Sequence, residues 1–511
     1  MIRLLRTAVG SLSSVALISC TMGPDFKPPA PPQTTTYLAE PQKPQFVSAD
    51  ISNGEAQTIV QNLDIPGQWW GVFQSPQLNS LIESALKANP DVQAALAGLK
   101  VAQENARAQR ATLFPTLQGG IGASQNQTPT SLSPATSTGA TIYGLFTFGL
   151  TLTYMLDLWG VNRRQIESLD ALAEQQCFQV EGAYLSLASN VVAAAIQEAS
   201  LRAQVEATQQ IIAAQRETLD ILRQSSGLGA VPGGDVAAQE AALAQVEATL
   251  PPLQKALAQQ RNLLAVLAGR YPSATVAERF DLADLRLPEE LPLSLPSKLV
   301  EQRPDVRAAE AALHSATALV GVATANQFPQ ITLNVGLNTQ SLSTDTLFGP
   351  GLTGTTAGVS LLQTILDGGA LAAKKRAAQA ALQQADAQYR STVLTAFRNV
   401  ADVLRALEYD ALTLKATVTA ERAAATSLDI ARRRLALGDI TYLFVLAAQQ
   451  TYQTALLARV QAQASRFTDT AALFQALGGG WWNRDGNIES TKRLSCRQTA
   501  RPTAQSIVSQ R

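Results

Sequence analysis

The chain has 511 residues, enough for several domains, yet its 40 basic and 40 acidic residues cancel and only 16% of its residues are charged. That balance excludes the basic stripe of a nucleic-acid surface and the charge density of a disordered polyelectrolyte. Aromatic residues are sparse and clustered, while Ala, Gln and Leu dominate the middle of the chain, a composition suited to long helices with small seam residues.

Arg3 and Arg6 precede an apolar run over residues 9–18, too short for a permanent bilayer span but suited to a secretory signal, so residues 1–19 read as a signal peptide. The run ends Leu17-Ile18-Ser19-Cys20, which resembles a bacterial lipobox and makes Cys20 the expected lipidation site. Pro28, Pro29, Pro31, Pro32, Pro41 and Pro44 then mark residues 20–68 as an extended tether, and Trp69-Trp70 open the structured part. With only Cys177 and Cys496 left, a disulfide framework is not expected, and Cys177 reads as a small packing residue within a helix.

The chain then repeats itself. Asn89-Pro90-Asp91-Val92 returns as Arg303-Pro304-Asp305-Val306, and Phe114-Pro115 returns as Phe328-Pro329, so residues 69–290 and 291–482 form two copies. Each copy begins with a helix of some twenty residues, with Pro at its first position and a Phe-Pro stop at its end. Strands follow. Ile142, Phe146, Phe148, Leu150, Leu152 and Tyr154 fall on one face, with Tyr143, Thr147, Gly149, Thr151 and Thr153 on the other. In the second copy Ile331, Leu333, Val335 and Leu337 alternate with Thr332, Asn334, Gly336 and Asn338 before a return strand through Ala357, Val359 and Leu361. This alternation fits a transmembrane barrel and also a half-buried soluble sheet. Residues 125–139 and 338–354 read as the joining loops. Four strands per chain cannot close a barrel, so a membrane role requires oligomerisation.

A long helical hairpin follows each strand pair. In copy one it starts near Val161, turns over residues 227–235 and returns to Gly269. Gly227 and Gly229 follow a helix, and Pro232 breaks a Gly-x-Gly-x-x-Gly spacing, so they read as a helix cap and turn instead of a phosphate loop. In copy two Val393, Phe397, Val400, Leu404, Leu407, Ala411, Leu414 and Val418 keep 4-3 spacing, a coiled-coil seam. The helix breaks at Gly438-Asp439 and returns to Leu477. Each long arm spans about 100 Å at 1.5 Å per residue. Residues 483–511 are polar and read as a disordered tail.

Cys20 with Gly23-Pro24-Asp25-Phe26, the duplicated Pro-Asp-Val and Phe-Pro segments, Leu156-Asp157-Leu158-Trp159-Gly160, Asp235-Val236, the run ending at Gly269 and the final Leu477-Gly-Gly-Gly-Trp481 together resemble outer-membrane efflux factors of the TolC type, in their NodT-like lipoprotein branch. The resemblance covers roughly residues 20–482. It implies a mainly α fold with membrane β: a homotrimer with a twelve-stranded transmembrane β-barrel continued by a long periplasmic α-helical barrel. It also implies a periplasmic adaptor and an inner-membrane RND-type pump as partners, lipid around the barrel and no cofactor. The function it implies is the outer-membrane exit channel of a tripartite system that exports small molecules.

In that family the second turn often carries acidic residues six and nine positions after its glycine, forming a ring at the closed mouth. Here those positions are Phe444 and Ala447, while copy one, counted from Gly229, keeps Asp235 followed by Ala238. Tyr442, Leu443 and Phe444 offer an apolar constriction in place of the acids, centred on Leu443 and Phe444, with Asp235 beside it; packing between helices is the competing role for these side chains. Gly227, Gly229, Gly438 and Asp439 are candidates for adaptor contact or for simple turn geometry. An enzyme finds no support: His314 is the single histidine and aligns with Lys100 on a helix surface, and no nucleophile, Walker or metal pattern is present. A type I protein-secretion channel and a soluble coiled-coil scaffold are the other readings.

Overall fold

The computed structural model describes residues 21–127, 142–274 and 277–484; Cys20, the signal segment and the tail from residue 485 lie outside the described residues. The elements, in chain order, are β1 (Thr58–Gln61), α1 (Pro76–Ala88), α2 (Pro90–Arg110), β2 (Thr116–Gln127), β3 (Ile142–Leu156), α3 (Val161–Gly227) and α4 (Gly233–Leu267). They continue with β4 (Glu290–Leu293), α5 (Pro296–Gln302), α6 (Pro304–Ala325), β5 (Gln330–Ser341), β6 (Thr353–Leu362), α7 (Ala370–Ala436) and α8 (Tyr442–Ala476). Both hairpins have arms of 67 and 35 residues. Val161 to Ala370 and Gly233 to Tyr442 are both offsets of 209, against 214 from Pro90 to Pro304, so the copies differ in length only across the strand pair and its exit.

The chain divides into two compact units. The first comprises Leu99–Gln175 and Ala309–Tyr389 with the N-terminal segment up to Pro29, and the second comprises the rest. In the first, the strands form one antiparallel sheet in the order β2-β3-β5-β6. Its register keeps an apolar and a polar side through the middle of the strands. Leu117 pairs with Leu152, Ile121 with Phe148, Leu152 with Val335, Tyr154 with Leu333, and Leu333 with Val359 on the apolar side. Gln118 opposite Thr151 and Thr153 opposite Asn334 mark the polar side. β5 runs to Ser341 and β6 begins at Thr353, so the connecting loop is shorter than the sequence pattern suggests.

The Leu-Asp-Leu-Trp-Gly motif starts the first long arm. Asp157 accepts the Asn162 and Arg163 N–H groups at 3.1 and 3.0 Å, satisfying donors that a helix N-terminus leaves open. Asp367 repeats this in copy two, accepting from Gly369 and Leu371 at 2.8 and 2.7 Å. Those backbone N–H groups hold its carboxyl below the usual range. Trp159 stacks on Phe328 at 4.9 Å and donates to the Pro329 carbonyl at 2.7 Å, tying the exit of one strand pair to the entry of the other.

In the same unit the N-terminal segment is clasped. The Met22 N–H donates to the Trp159 carbonyl at 3.1 Å, and Arg164 bonds the Met22 carbonyl at 3.2 Å, Asp25 at 2.6 Å and Glu167 at 2.7 Å. Phe26 stacks on His314, whose Nε2 lies 3.1 Å from Glu167. His314 is therefore a partly buried member of this clasp and not an ordinary surface residue.

The second unit has an aromatic core, with Trp69 stacked on Phe474 at 5.5 Å and Phe73 against Phe467 at 6.2 Å. The duplicated Asn89-Pro90 and Arg303-Pro304 pairs act here as end clamps. Asn89 Nδ2 donates to the Leu267 carbonyl at 3.0 Å, and Arg303 Nη1 donates to the Ala476 carbonyl at 2.9 Å. Each thus takes up a carbonyl that the end of a return arm leaves free. Residues 30–62 do not hang free. Tyr37 packs on Phe397, Glu40 pairs with Arg405 at 2.5 Å and Lys43 with Glu408 at 2.8 Å. β1 pairs in parallel with β4, a small sheet that nothing in the proline-rich sequence announces. Cys177 is disulfide-bonded, which corrects its reading as a packing residue.

All four arms end on one cap. Gly229, Gly269, Gly438 and Gly478 have φ of 77, 71, 74 and 98°. In each, the glycine N–H reaches three residues back and the next N–H five back, as in Gly438 to Leu435 and Asp439 to Arg434. The four positions differ in surroundings. A Cβ on Gly229 would meet nothing within 4 Å, whereas one on Gly269 would lie 2.6 Å from the Ala88 carbonyl oxygen. Gly229→Ala should therefore cost only the left-handed strain of about 1–2 kcal/mol, and Gly269→Ala about 3 kcal/mol or more, as measured by denaturant midpoints.

Candidate functional site: the hairpin tips

At the tips, Leu222, Leu428, Ala431, Tyr442 and Val445 form one buried cluster, with Val231, Val236, Leu435 and Ile440 packed on it, so both hairpins share a core within the second unit. Tyr442, at the first position of α8, is 2% exposed. Its hydroxyl donates to Gln239 Oε1 on α4 at 2.5 Å, and Gln239 Nε2 donates to the Gln215 carbonyl on α3 at 2.9 Å. One hydrogen-bonded line thus joins hairpin two to both arms of hairpin one. Burial pushes the Tyr442 hydroxyl up to about 12, opposed by Arg432 and reinforced by Asp235. The phenol stays protonated, as a donor must.

Successive residues of a helix point about 100° apart, and the sequence run Tyr442-Leu443-Phe444 divides accordingly. Leu443 is 55% and Phe444 65% exposed. Leu228 and Leu437 are also exposed, in the two turns, together with Gly227, Gly229, Gly438 and Asp439. Asp439 pairs with Arg434 at 2.7 Å, bracing the second turn. Asp235 lies half-buried in the first turn of α4. Cys20, the expected lipid site, lies outside the described residues.

Gln239 and Gln215 went unnoticed in the sequence because a glutamine among many in an Ala/Gln-rich helix carries no signal. Their context does. Behind the tip cluster a cavity of about 200 Å³ is lined by Ile211, Gln215, Leu428, Gln449 and Tyr452 among others. Both amide atoms of Gln215 and the Oε1 of Gln449 are buried there without a protein partner. The seam between the hairpins is therefore only partly satisfied just behind the tips.

A second charged feature lies along the arms. Burial, together with a hydrogen bond that protonated Asp410 on α7 donates to Asp469 on α8, pushes Asp410 up to about 7, against the pull of Arg466. Arg466 is fully buried and reaches Gln57 at 3.2 Å and the Glu55 carbonyl.

A family model described as outer membrane efflux protein matches residues 81–270 and 295–479. The chain is 32% identical over 484 residues to the pyoverdine export outer membrane protein OpmQ of Pseudomonas aeruginosa, covering 92% of this chain and 98% of that protein. It is 26% identical over 481 residues to nodulation protein T of Rhizobium leguminosarum bv. trifolii, covering 92% and 96%. Among solved structures, the outer-membrane channel OprN superposes with a TM-score of 0.79 at 27% identity, over 90% of this chain and all of that one.

Tyr442→Phe leaves Gln239 Oε1 buried and unpaired, so it should cost about 1–2 kcal/mol in urea unfolding. The Asp410 carboxyl titrates higher in the fold than its ordinary 3.8, so its contribution is complete below pH 3.8 and lost as pH rises toward 7. Wild type should accordingly lose about 1–2 kcal/mol between pH 5 and 8, a range that allows for solvent screening of a half-exposed pair. Asp410→Asn should flatten that slope in urea unfolding series run across the same pH range.

Proposed function

Because this chain belongs to the outer membrane efflux protein family, we propose that it works as a homotrimer, the exit duct of a tripartite pump that carries small molecules out of the cell. The observation that carries this reading is the sheet: one mainly apolar face, one mainly polar face, and two edge strands, β2 and β6, without a further partner strand among the described residues. Hydrocarbon does not tolerate unpaired backbone groups, so those edges must pair with other copies. Two copies give eight strands, a barrel whose interior is filled by side chains; three copies give twelve and leave a lumen. The apolar face then meets lipid and the Thr, Gln and Asn face lines water. No catalytic step is required of such a duct.

Cys20 carries the lipid in this reading. Thr21, the next residue, sits against Gly160 at the exit of β3, held by the Met22–Trp159 hydrogen bond and the Arg164–Asp25 pair. The anchor therefore starts beside the strands and can enter the same membrane.

The hairpin tips form the regulated mouth. Leu443 and Phe444, repeated by three-fold symmetry, make an apolar ring that blocks ions by dewetting, with Asp235 at its margin. Tyr442 does not line this ring; through Gln239 it latches the second hairpin to the first. Gly227, Gly229, Gly438 and Asp439 present the turn surface to the periplasmic adaptor, which draws the hairpins apart when the inner-membrane RND-type pump engages. Small molecules fit a permissive polar lumen, and pyoverdine export by the relative OpmQ is of this class.

Planar-bilayer recording tests the mouth. Wild-type conductance should be small, and it should rise several-fold in Leu443→Ala/Phe444→Ala. An unchanged conductance in the double variant removes the apolar ring, and the absence of both trimer by light scattering and conductance in either protein removes the duct.

A further inference from the structure

The cavity behind the hairpin tips takes its walls from both hairpins. Ile211 and Gln215 come from α3, Leu428 from α7, and Gln449, Tyr452 and Leu456 from α8. All six belong to the second compact unit. The volume is about 200 Å³. An apolar cavity of about 150 Å³ accepts a benzene ring, so this one has room for a ring that carries a small substituent. Gln210 and Arg432 also line it and are exposed, which gives a ligand a way in from solvent.

Three polar atoms select the substituent. Gln215 is 2% and Gln449 6% exposed. Gln215 Nε2, Gln215 Oε1 and Gln449 Oε1 are buried and have no hydrogen-bond partner among the described residues. The Gln215 backbone carbonyl serves Gln239, but its amide side chain is left out of that line. The unpaired set is one donor group and two acceptors. Its complement is one acceptor and two donors, the inventory of a primary carboxamide. The ligand carbonyl accepts from Gln215 Nε2, and its two N–H groups donate to Gln215 Oε1 and Gln449 Oε1. A carboxylate has no proton to give either acceptor, and an ammonium brings no acceptor and meets the Arg432 cation. Water satisfies the amides equally well, but Ile211, Leu428 and Leu456 offer it no partner. An aromatic ring suits that side, because it removes apolar wall from water and finds an aromatic neighbour in Tyr452.

We propose that this cavity is a binding site for a small, neutral aromatic carboxamide, held by Gln215 and Gln449. The ligand bridges α3 of the first hairpin to α7 and α8 of the second, so occupancy favours the arrangement in which the hairpins stand together. The site rests on the cavity and its unpaired amides and does not depend on the export reading.

Benzamide is the probe. A ligand-observed NMR titration of the full chain in detergent, read against a detergent blank, should show saturable binding. Methyl benzoate and benzoate, which lack the two N–H donors, should bind about tenfold more weakly or worse. Gln215→Leu and Gln449→Leu should each weaken benzamide by about the same factor. Benzamide should raise the melting temperature of wild type and leave that of Gln215→Leu unmoved. Gln215→Met, of nearly the same length, repeats the test and guards against misfolding of the leucine form. The proposal is overturned by three results: no saturable binding of benzamide, equal binding of benzamide and methyl benzoate, or benzamide binding that survives in the folded Gln215 variants. The duct reading stands or falls separately, on conductance.

Discussion

An unpaired strand edge has no place in hydrocarbon, and the membrane sheet of this chain has four strands among the described residues. Much of the remaining architecture answers that constraint. The sheet must be completed by copies of itself, so each copy must present its edges in the same place. The Trp159–Phe328 stack and the bond to the Pro329 carbonyl fix the two strand pairs against each other at their base. The Asp157 and Asp367 caps launch both long arms from the strand exits in the same way. A duplicated sequence makes this economical, because one solution to the strand-to-helix junction serves twice.

Duplication also explains which parts of the fold were legible. The hairpins stood out because Val400, Leu404, Leu407, Ala411 and Leu414 keep seam spacing and prove buried, and because a glycine closes each arm. The strands stood out because their register puts Phe148, Leu150, Leu152 and Tyr154 on the same side as Leu333, Val335 and Leu337. β1 was invisible: its four residues pair with β4, some 230 positions away, and local pattern cannot report so distant a partner. The role of His314 was hidden for the same reason, since Phe26 and Glu167 come from remote segments. Alignment with Lys100 described only its own helix.

The candidate site was half legible. Sequence singled out Tyr442, Leu443 and Phe444 as a group, but a helix rotates each residue away from the last, and burial divides them into one core residue and two exposed ones. What gave Tyr442 a partner was Gln239, a residue that composition conceals. The seam it belongs to carries buried amides around a cavity. A fully apolar seam would hold the hairpins more tightly, because each unsatisfied polar atom costs about 1–3 kcal/mol. A partly satisfied seam would keep the tips separable, which suits the mouth proposed above.

The proposed apolar mouth would sense its surroundings differently from an acidic one. A ring of carboxylates would close by holding cations, and its resistance would depend on ionic strength and on multivalent ions. Leu443 and Phe444 carry no charge, and the nearest acids in the turns are Asp439, already paired with Arg434, and Asp235, set back in the first hairpin. Dewetting between apolar side chains depends on the width of the constriction far more than on salt. In the proposed mouth the control variable is geometry alone: how far apart the hairpins stand. In that proposal the tip cluster and the Tyr442–Gln239 bond inside each copy set the spacing, which a pull on the turns would change.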